Sequence, residues 1–115
     1  MDSDARLDLV FSALADPTRR AILARLAEGA ATVSELAGPS GLSQPTVSKH
    51  LRLLEEAGFI VQARDAQRRP RSLVVGGPLR EVDAWLRPFR EQWERRLDGL
   101  AAFLDTKAKR KGAPR

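Results

Sequence analysis

The stretch Gly41-Leu-Ser-Gln-Pro-Thr-Val-Ser-Lys-His-Leu-Arg-Leu-Leu-Glu-Glu-Ala-Gly-Phe-Ile60 decides the fold. It reads as a helix with its own start, its own stop and two unlike faces. Ser43 suits the N-cap, because its hydroxyl can accept a hydrogen bond from a free amide of the first turn. Pro45 falls in that turn, where a missing N–H costs little. Gly58 can adopt the left-handed conformation that ends a helix. Val47, Leu51 and Leu54 recur at i, i+4, i+7 and therefore share one inward stripe. At about 100° per residue, Pro45, Lys49 and Arg52 lie on the opposite side, with Gln44, Thr46 and Ser48 at its margins. Short hydroxyls, an amide and cations on one face are what a helix entering the major groove of DNA requires.

Working back from this helix, Thr32-Val-Ser-Glu35 is a capping box that opens a short helix burying Val33 and Leu36. The spacing breaks that helix at Gly38-Pro39-Ser40-Gly41. Two helices joined by a tight glycine-containing connection make a helix-turn-helix. Earlier still, Asp16 as N-cap and Pro17 at N1 start a helix running to about Glu28, with Ile22, Leu23 and Leu26 inward and Gly29 as its stop. Arg19 and Arg20 fall in its first turn, where the helix dipole disfavours cations. A salt bridge to Asp16 or to another helix, or a phosphate contact, would explain them. Residues 4–15 form a first helix, with Leu7, Val10, Phe11 and Leu14 along one side.

Beyond Gly58, apolar Phe59-Ile-Val61 and Leu73-Val-Val75 flank a polar stretch, Gln62 to Arg71. This predicts a β-hairpin closed by Gly76-Gly77-Pro78. Appended to a helix-turn-helix, such a hairpin is a wing. Its tip, Asp65–Pro70, lies amid Arg64, Arg68, Arg69 and Arg71, opposed only by Asp65. The last helix is the longest. Leu79, Val82, Trp85, Leu86, Phe89, Trp93, Leu97, Leu100 and Leu104 follow a three-to-four spacing, and Pro88 is expected to kink or split it. One small domain has no evident place for so long a stripe. A two-fold dimer would bury it, through Trp85, Phe89, Trp93, Leu97 and Leu100 with Leu7 and Phe11 of the first helix. Trp85, Phe89 and Trp93 form either an ordinary dimer core or the wall of a pocket for an unknown small-molecule effector.

Composition sets outer bounds. The chain has 115 residues, no cysteine and a formal charge of +5. Disulfides, thiolate metal sites and cysteine nucleophiles are therefore excluded. Five cations and no acid fall in residues 107–115, which leaves 15 bases against 15 acids in residues 1–106. The division expected is a winged helix-turn-helix DNA-binding and dimerisation domain over 1–106 and a basic disordered tail over 107–115. No apolar run is long enough for a membrane span and the start carries no signal-peptide pattern, so a cytoplasmic protein is expected. One histidine, no tyrosine and no Ser–His pair or glycine-rich phosphate loop at usable spacing argue against an enzyme.

Several motifs in order resemble the ArsR/SmtB family of bacterial transcriptional regulators: Leu14-Ala-Asp-Pro-Thr-Arg-Arg-Ala-Ile-Leu23, Val33-Ser-Glu-Leu36, Leu42-Ser-Gln-Pro-Thr-Val-Ser-Lys-His-Leu51 and Leu54-Glu-Glu-Ala-Gly-Phe-Ile60. The similarity covers residues 7–75, and the C-terminal helix fits in kind. It implies a mainly α winged helix-turn-helix fold with a small β-hairpin and about five helices, dimerising through the N- and C-terminal helices. It also implies a homodimeric repressor that binds an inverted-repeat operator, often its own, and is released by an effector. The family's base-reading positions fall on Gln44, Pro45, Ser48 and Lys49. Metalloid sensors of the family carry Cys-Val-Cys where this chain has Thr32-Val33-Ser34, and hydroxyls are poor ligands for soft ions. The zinc and nickel sensors use His and Asp on the last helix, which here has no histidine. No metal or other cofactor is expected. The reading that competes with operator binding is a protein-interaction winged-helix module without DNA. His50 borders the buried stripe, and a packed, hydrogen-bonded role is expected for it.

Overall fold

The structure, a computed structural model, describes residues 3–64 and 67–112. The helices are α1 (Ser3–Leu14), α2 (Pro17–Leu26), α3 (Val33–Ser40), α4 (Gln44–Glu56) and α5 (Pro78–Gly112). Strands β1 (Ile60–Gln62) and β2 (Arg71–Leu73) form an antiparallel hairpin between α4 and α5. Its register pairs Ile60 with Leu73, Val61 with Ser72 and Gln62 with Arg71. Five helices and a hairpin are the winged helix-turn-helix architecture that the spacing predicts.

The helix starts follow from their caps. Asp16 accepts the Arg19 N–H at 3.0 Å, and Ser43 Oγ accepts the Thr46 N–H at 3.3 Å. Thr32 and Glu35 close a reciprocal capping box, with Thr32 Oγ1 accepting the Glu35 N–H and Glu35 Oε1 accepting the Thr32 N–H. Each cap satisfies amides that the helix itself leaves without partners. Gly41 and Gly58, at φ +72° and +83°, take the left-handed turns that follow α3 and α4.

The chain divides into two units, residues 1–82 and 83–115. The first holds the hydrophobic core. Val10 of α1, Leu26 of α2, Leu36 of α3 and Val47, Leu51 and Leu54 of α4 meet Phe59 and Ile60 there. Leu79 and Val82 pack against its edge, and Arg6 Nε donates to Glu81 Oε1 at 2.8 Å. The second unit is the remainder of α5.

The structure departs from the sequence reading at five places. Helix α2 ends at Leu26, two residues before Glu28. Helix α3 does not break at Gly38 but continues through Pro39 to Ser40, where Gly41 stops it. A proline in a last turn removes one backbone bond, and Ser40 Oγ supplies a new one to the Ala37 carbonyl at 2.9 Å. Strand β2 begins at Arg71, two residues before the apolar run, because Arg71 is the register partner of Gln62, and Ala31 bridges to it from the other side. Arg71 N–H donates to Ala31 O at 2.8 Å and Ala31 N–H to Arg71 O at 3.1 Å. Val75 falls outside the strand and is exposed. Helix α5 is one helix with Pro88 inside it, not two. Its backbone stays helical to Gly112, where composition predicted a tail from Lys107; residues 113–115 and Asp65 lie outside the described residues. Among the described residues, no helix is long and apolar enough to cross a membrane.

Candidate nucleic-acid interface

Packing determines which face of α4 meets solvent. Val47, Leu51 and Leu54 are at most 1% exposed. With that side held inward, Gln44, Pro45, Thr46, Lys49 and Arg52 are exposed and Ser48 is half-buried. Among the described residues, the side chains of Gln44, Lys49 and Arg52 make no hydrogen bond or ion pair. Their donors remain available to a ligand. Pro45 offers surface but no donor. Thr46 differs from its neighbours, because its hydroxyl lies 2.8 Å from Ser43 Oγ and completes the cap.

His50 is half-buried beside the start of α2. Its Nδ1 lies 3.4 Å from Arg19 Nη1 and 3.9 Å from Asp16 Oδ2. Asp16 thus caps α2 and lies close to this histidine without hydrogen-bonding to it. Its carboxyl is held below the usual aspartate value by the Arg19 N–H first, then by the charges of Arg19 and His50 and the Thr18 N–H.

Arg19 and Arg20 do something the sequence reading missed. Arg19 donates from Nε to the Ala13 carbonyl at 2.8 Å and from Nη2 to the Ser12 carbonyl at 3.0 Å. Arg20 Nη1 donates to the Leu14 carbonyl at 2.8 Å. Both guanidinium groups thus cap the C-terminal end of α1, where carbonyls lack partners and the dipole favours cations. The cue was available in outline: two arginines follow the end of a short helix by five or six residues.

The wing arginines divide in two. Arg64, Arg68 and Arg69 are exposed. Arg71 is not at the tip; it lies in β2 with its side chain 13% exposed, bonded through Nε to Glu55 Oε1 at 3.3 Å. A guanidinium held there belongs to the base of the wing, which corrects its placement beside the tip arginines. Nothing in the sequence spacing marked Glu55 as its partner, because the two are 16 residues apart on different elements. The charge of Arg68 also falls on Glu35. That carboxyl is held below its usual value by the Thr32 N–H first, then the Thr32 hydroxyl, then Arg25 and Arg68.

At the position of the metalloid-sensor thiolates, Thr32 is 8% exposed and its hydroxyl is engaged with Glu35 at 3.0 Å. Among the described residues, no group of three or more His, Asp and Glu is placed to hold a metal ion.

In the second unit, the apolar row of α5 faces outward. Trp85, Phe89, Trp93, Leu97 and Leu100 are 47–65% exposed, and the Trp85 and Phe89 ring centroids lie 4.9 Å apart at an interplanar angle of 39°. A contiguous row of large apolar side chains this exposed is unusual on a chain that stays alone. In the first unit, Leu7 and Phe11 of α1 are half-buried.

Comparison with known proteins agrees with this architecture. Residues 14–63, from α2 through β1, match a family model described as a helix-turn-helix domain. An HTH-type transcriptional regulator of Mycobacterium tuberculosis is 39% identical over 99 residues, which are 86% of this chain and 89% of that protein. The crystal structure of an ArsR family transcriptional regulator aligns with a TM-score of 0.68 at 44% identity, over 77% of this chain and 97% of the other. A homodimeric winged helix-turn-helix DNA-binding domain from Mycobacterium bovis, solved by solution NMR, aligns with a TM-score of 0.61 at 25% identity, over 80% and 88%. The chain belongs to the ArsR family of winged helix-turn-helix transcriptional regulators.

Proposed function

We propose that this regulator is a homodimeric repressor that reads an inverted-repeat operator in double-stranded DNA, one α4 per half-site. The observation that carries the reading is the division of labour among its polar side chains. Arg19, Arg20 and Arg71 are bonded to carbonyls and a carboxylate of the fold, whereas Gln44, Lys49 and Arg52 on α4 stand exposed without partners among the described residues. Gln44 suits a bidentate pair with adenine, and Lys49 suits guanine O6 and N7. Arg64, Arg68 and Arg69 suit flanking phosphates or the minor groove.

The dimer rests on the exposed row of α5. A second copy is its natural cover, since a two-fold axis sets the same row against itself. The Mycobacterium bovis domain to which the chain is similar is a homodimer, which supports a two-copy assembly. Two-fold symmetry also gives the operator its inverted repeat, with recognition helices about 34 Å apart to meet successive major grooves. A dimer seated on a promoter blocks access to it, which is repression by occupancy.

Selection from a random-sequence duplex pool, followed by gel shift of the enriched duplex, tests this reading. Enrichment of an inverted repeat with half-sites about ten base pairs apart, centre to centre, is the expected result. A folded dimer that enriches nothing and shifts no duplex at low salt would favour a protein-interaction module instead.

A further inference from the structure

At the C-terminal end of α4, one carboxylate oxygen holds both strands of the wing. Glu55 Oε1 accepts from Gln62 Nε2 on β1 and from Arg71 Nε on β2, each at 3.3 Å. Gln62 and Arg71 are register partners, so Glu55 grips the last cross-strand pair before the wing loop. The same guanidinium reaches further. Arg71 Nη1 donates to the Arg69 carbonyl at 2.9 Å. Arg69 has φ +48°, a left-handed conformation that a residue with a side chain adopts only when its surroundings hold it there. A continuous path of bonds therefore runs from the recognition helix to the arginine-bearing turn: Glu55, Arg71, Arg69.

We propose that Glu55 is a positioning residue for DNA recognition, fixing through Arg71 the turn that carries Arg68 and Arg69 relative to α4. The proposal rests on the reading that this regulator binds operator DNA. Glu55 touches no base and no phosphate. Its role is to order the wing before DNA arrives. Released from Arg71, the Arg69 turn relaxes out of its left-handed conformation, and its arginines search a wider volume. Each phosphate contact then carries the entropy of ordering a loop as well as a side chain, and contacts that no longer repay that cost are lost. Arg71, with Nε and Nη1 both occupied and little of its side chain exposed, serves the other wing arginines in place of a phosphate.

The test uses the full chain and the duplex enriched in the selection above, titrated by fluorescence anisotropy at several salt concentrations. Glu55→Ala, the pair Arg68→Ala with Arg69→Ala, and all three together are compared, each checked for folding by circular dichroism. Glu55→Ala should weaken binding by about tenfold, within the range found for residues of one ion-pair network. It should also flatten the dependence of affinity on salt, lowering the log–log slope by about 0.9 for each phosphate that is no longer neutralised. The triple variant should bind no more weakly than the more affected of the other two. Swapping the charges, Glu55→Arg with Arg71→Glu, should restore part of both affinity and slope. If Glu55→Ala does not fold, Glu55→Gln should show the same losses in smaller measure. A merely structural ion pair would lower the melting temperature while the salt slope stayed unchanged and the losses multiplied; that pattern, or parental affinity in the Glu55 variants, overturns the proposal alone. A parent chain that enriches no duplex overturns the DNA-binding reading and this proposal with it.

Discussion

In α4, Val47, Leu51 and Leu54 recur at helical spacing and are at most 1% exposed; in α5, Trp85, Phe89 and Trp93 recur at helical spacing and are 47–65% exposed. The periodicity of the two helices is alike, so the difference lies in what surrounds them. Helix α4 packs against α2, α3 and β1 within residues 1–82. Among the described residues of 83–115 there is no second element to cover a stripe. A sequence repeat therefore announces a face to be buried and is silent on what buries it. In α4 the partner is the same chain, and the consequence is an exposed polar face. In α5, on the proposed reading, the partner is another copy, and the consequence is a pair of such faces at a set distance.

The largest expected effect comes from emptying the inner stripe. Leu51→Ala removes a side chain with no exposed surface and should cost about 2–5 kcal/mol. Thermal melting would show it as a large fall in Tm in the first unit, with operator binding abolished because α4 no longer holds its face outward. A loss under about 1 kcal/mol would mean that this stripe is not the anchor.

The outer stripe should break differently. Trp93→Asp puts a charge on the α5 row and is expected to give a folded monomer by sedimentation, with far-ultraviolet dichroism unchanged. Operator affinity should fall by about a hundredfold or more, because engagement of the second half-site stops being intramolecular. A stable dimer after this change would place the interface elsewhere.

Lys49→Ala leaves both stripes alone. It should weaken binding to the selected operator by about tenfold to a hundredfold, the scale of one good base contact, and relax selectivity at one position of the half-site. The melting temperature should not change. Parental affinity would show that the outward face of α4 is not the reader.

The smallest effect is on pH dependence. The Asp16 carboxyl is held low by the Arg19 N–H, so its stabilising share is complete at neutral pH. That share is lost as the pH falls through the lowered folded-state value. Asp16→Asn keeps an N-cap acceptor but gives up the charge, so it should lower Tm modestly at neutral pH and converge with the parent in acid. The fall in Tm between about pH 5 and pH 2 should become shallower, though not flat, since Glu35 is held low as well. An identical acid limb would mean that Asp16 titrates normally in the folded chain.

How much of the molecule is legible in its sequence follows a physical rule. Features set by neighbours within a turn can be read directly: the Ser43 cap, the Thr32–Glu35 box, the Asp16-Pro17 start and the Val47-Leu51-Leu54 stripe. Features set by distant partners cannot. Arg19 and Arg20 cap a preceding helix, which requires knowing how the chain turns at Asp16. Arg71 pairs with Gln62 in the hairpin and is also bridged by Ala31, which lies 40 residues earlier, and no local pattern encodes that bridge. Val75 misleads, since its apolar character predicts a strand residue where the chain has left the ladder, whereas Val74, just past β2, still donates to the Phe59 carbonyl at 2.8 Å. Pro39 and Pro88 each remove one backbone bond, and both helices tolerate the loss. On α4, the outward face is readable from spacing, whereas the Glu55–Arg71 link beneath the wing is not.

A titration with altered half-site spacing tests the central claim most directly. The enriched inverted repeat is compared with the same duplex carrying about five extra base pairs between its half-sites, half a helical turn. The account predicts tight binding to the first. It predicts loss of nearly all specific affinity on the second, because two α4 helices fixed to one dimer axis can no longer face the same side of the DNA. Equal affinity for both duplexes, or no specific binding to either, would contradict it.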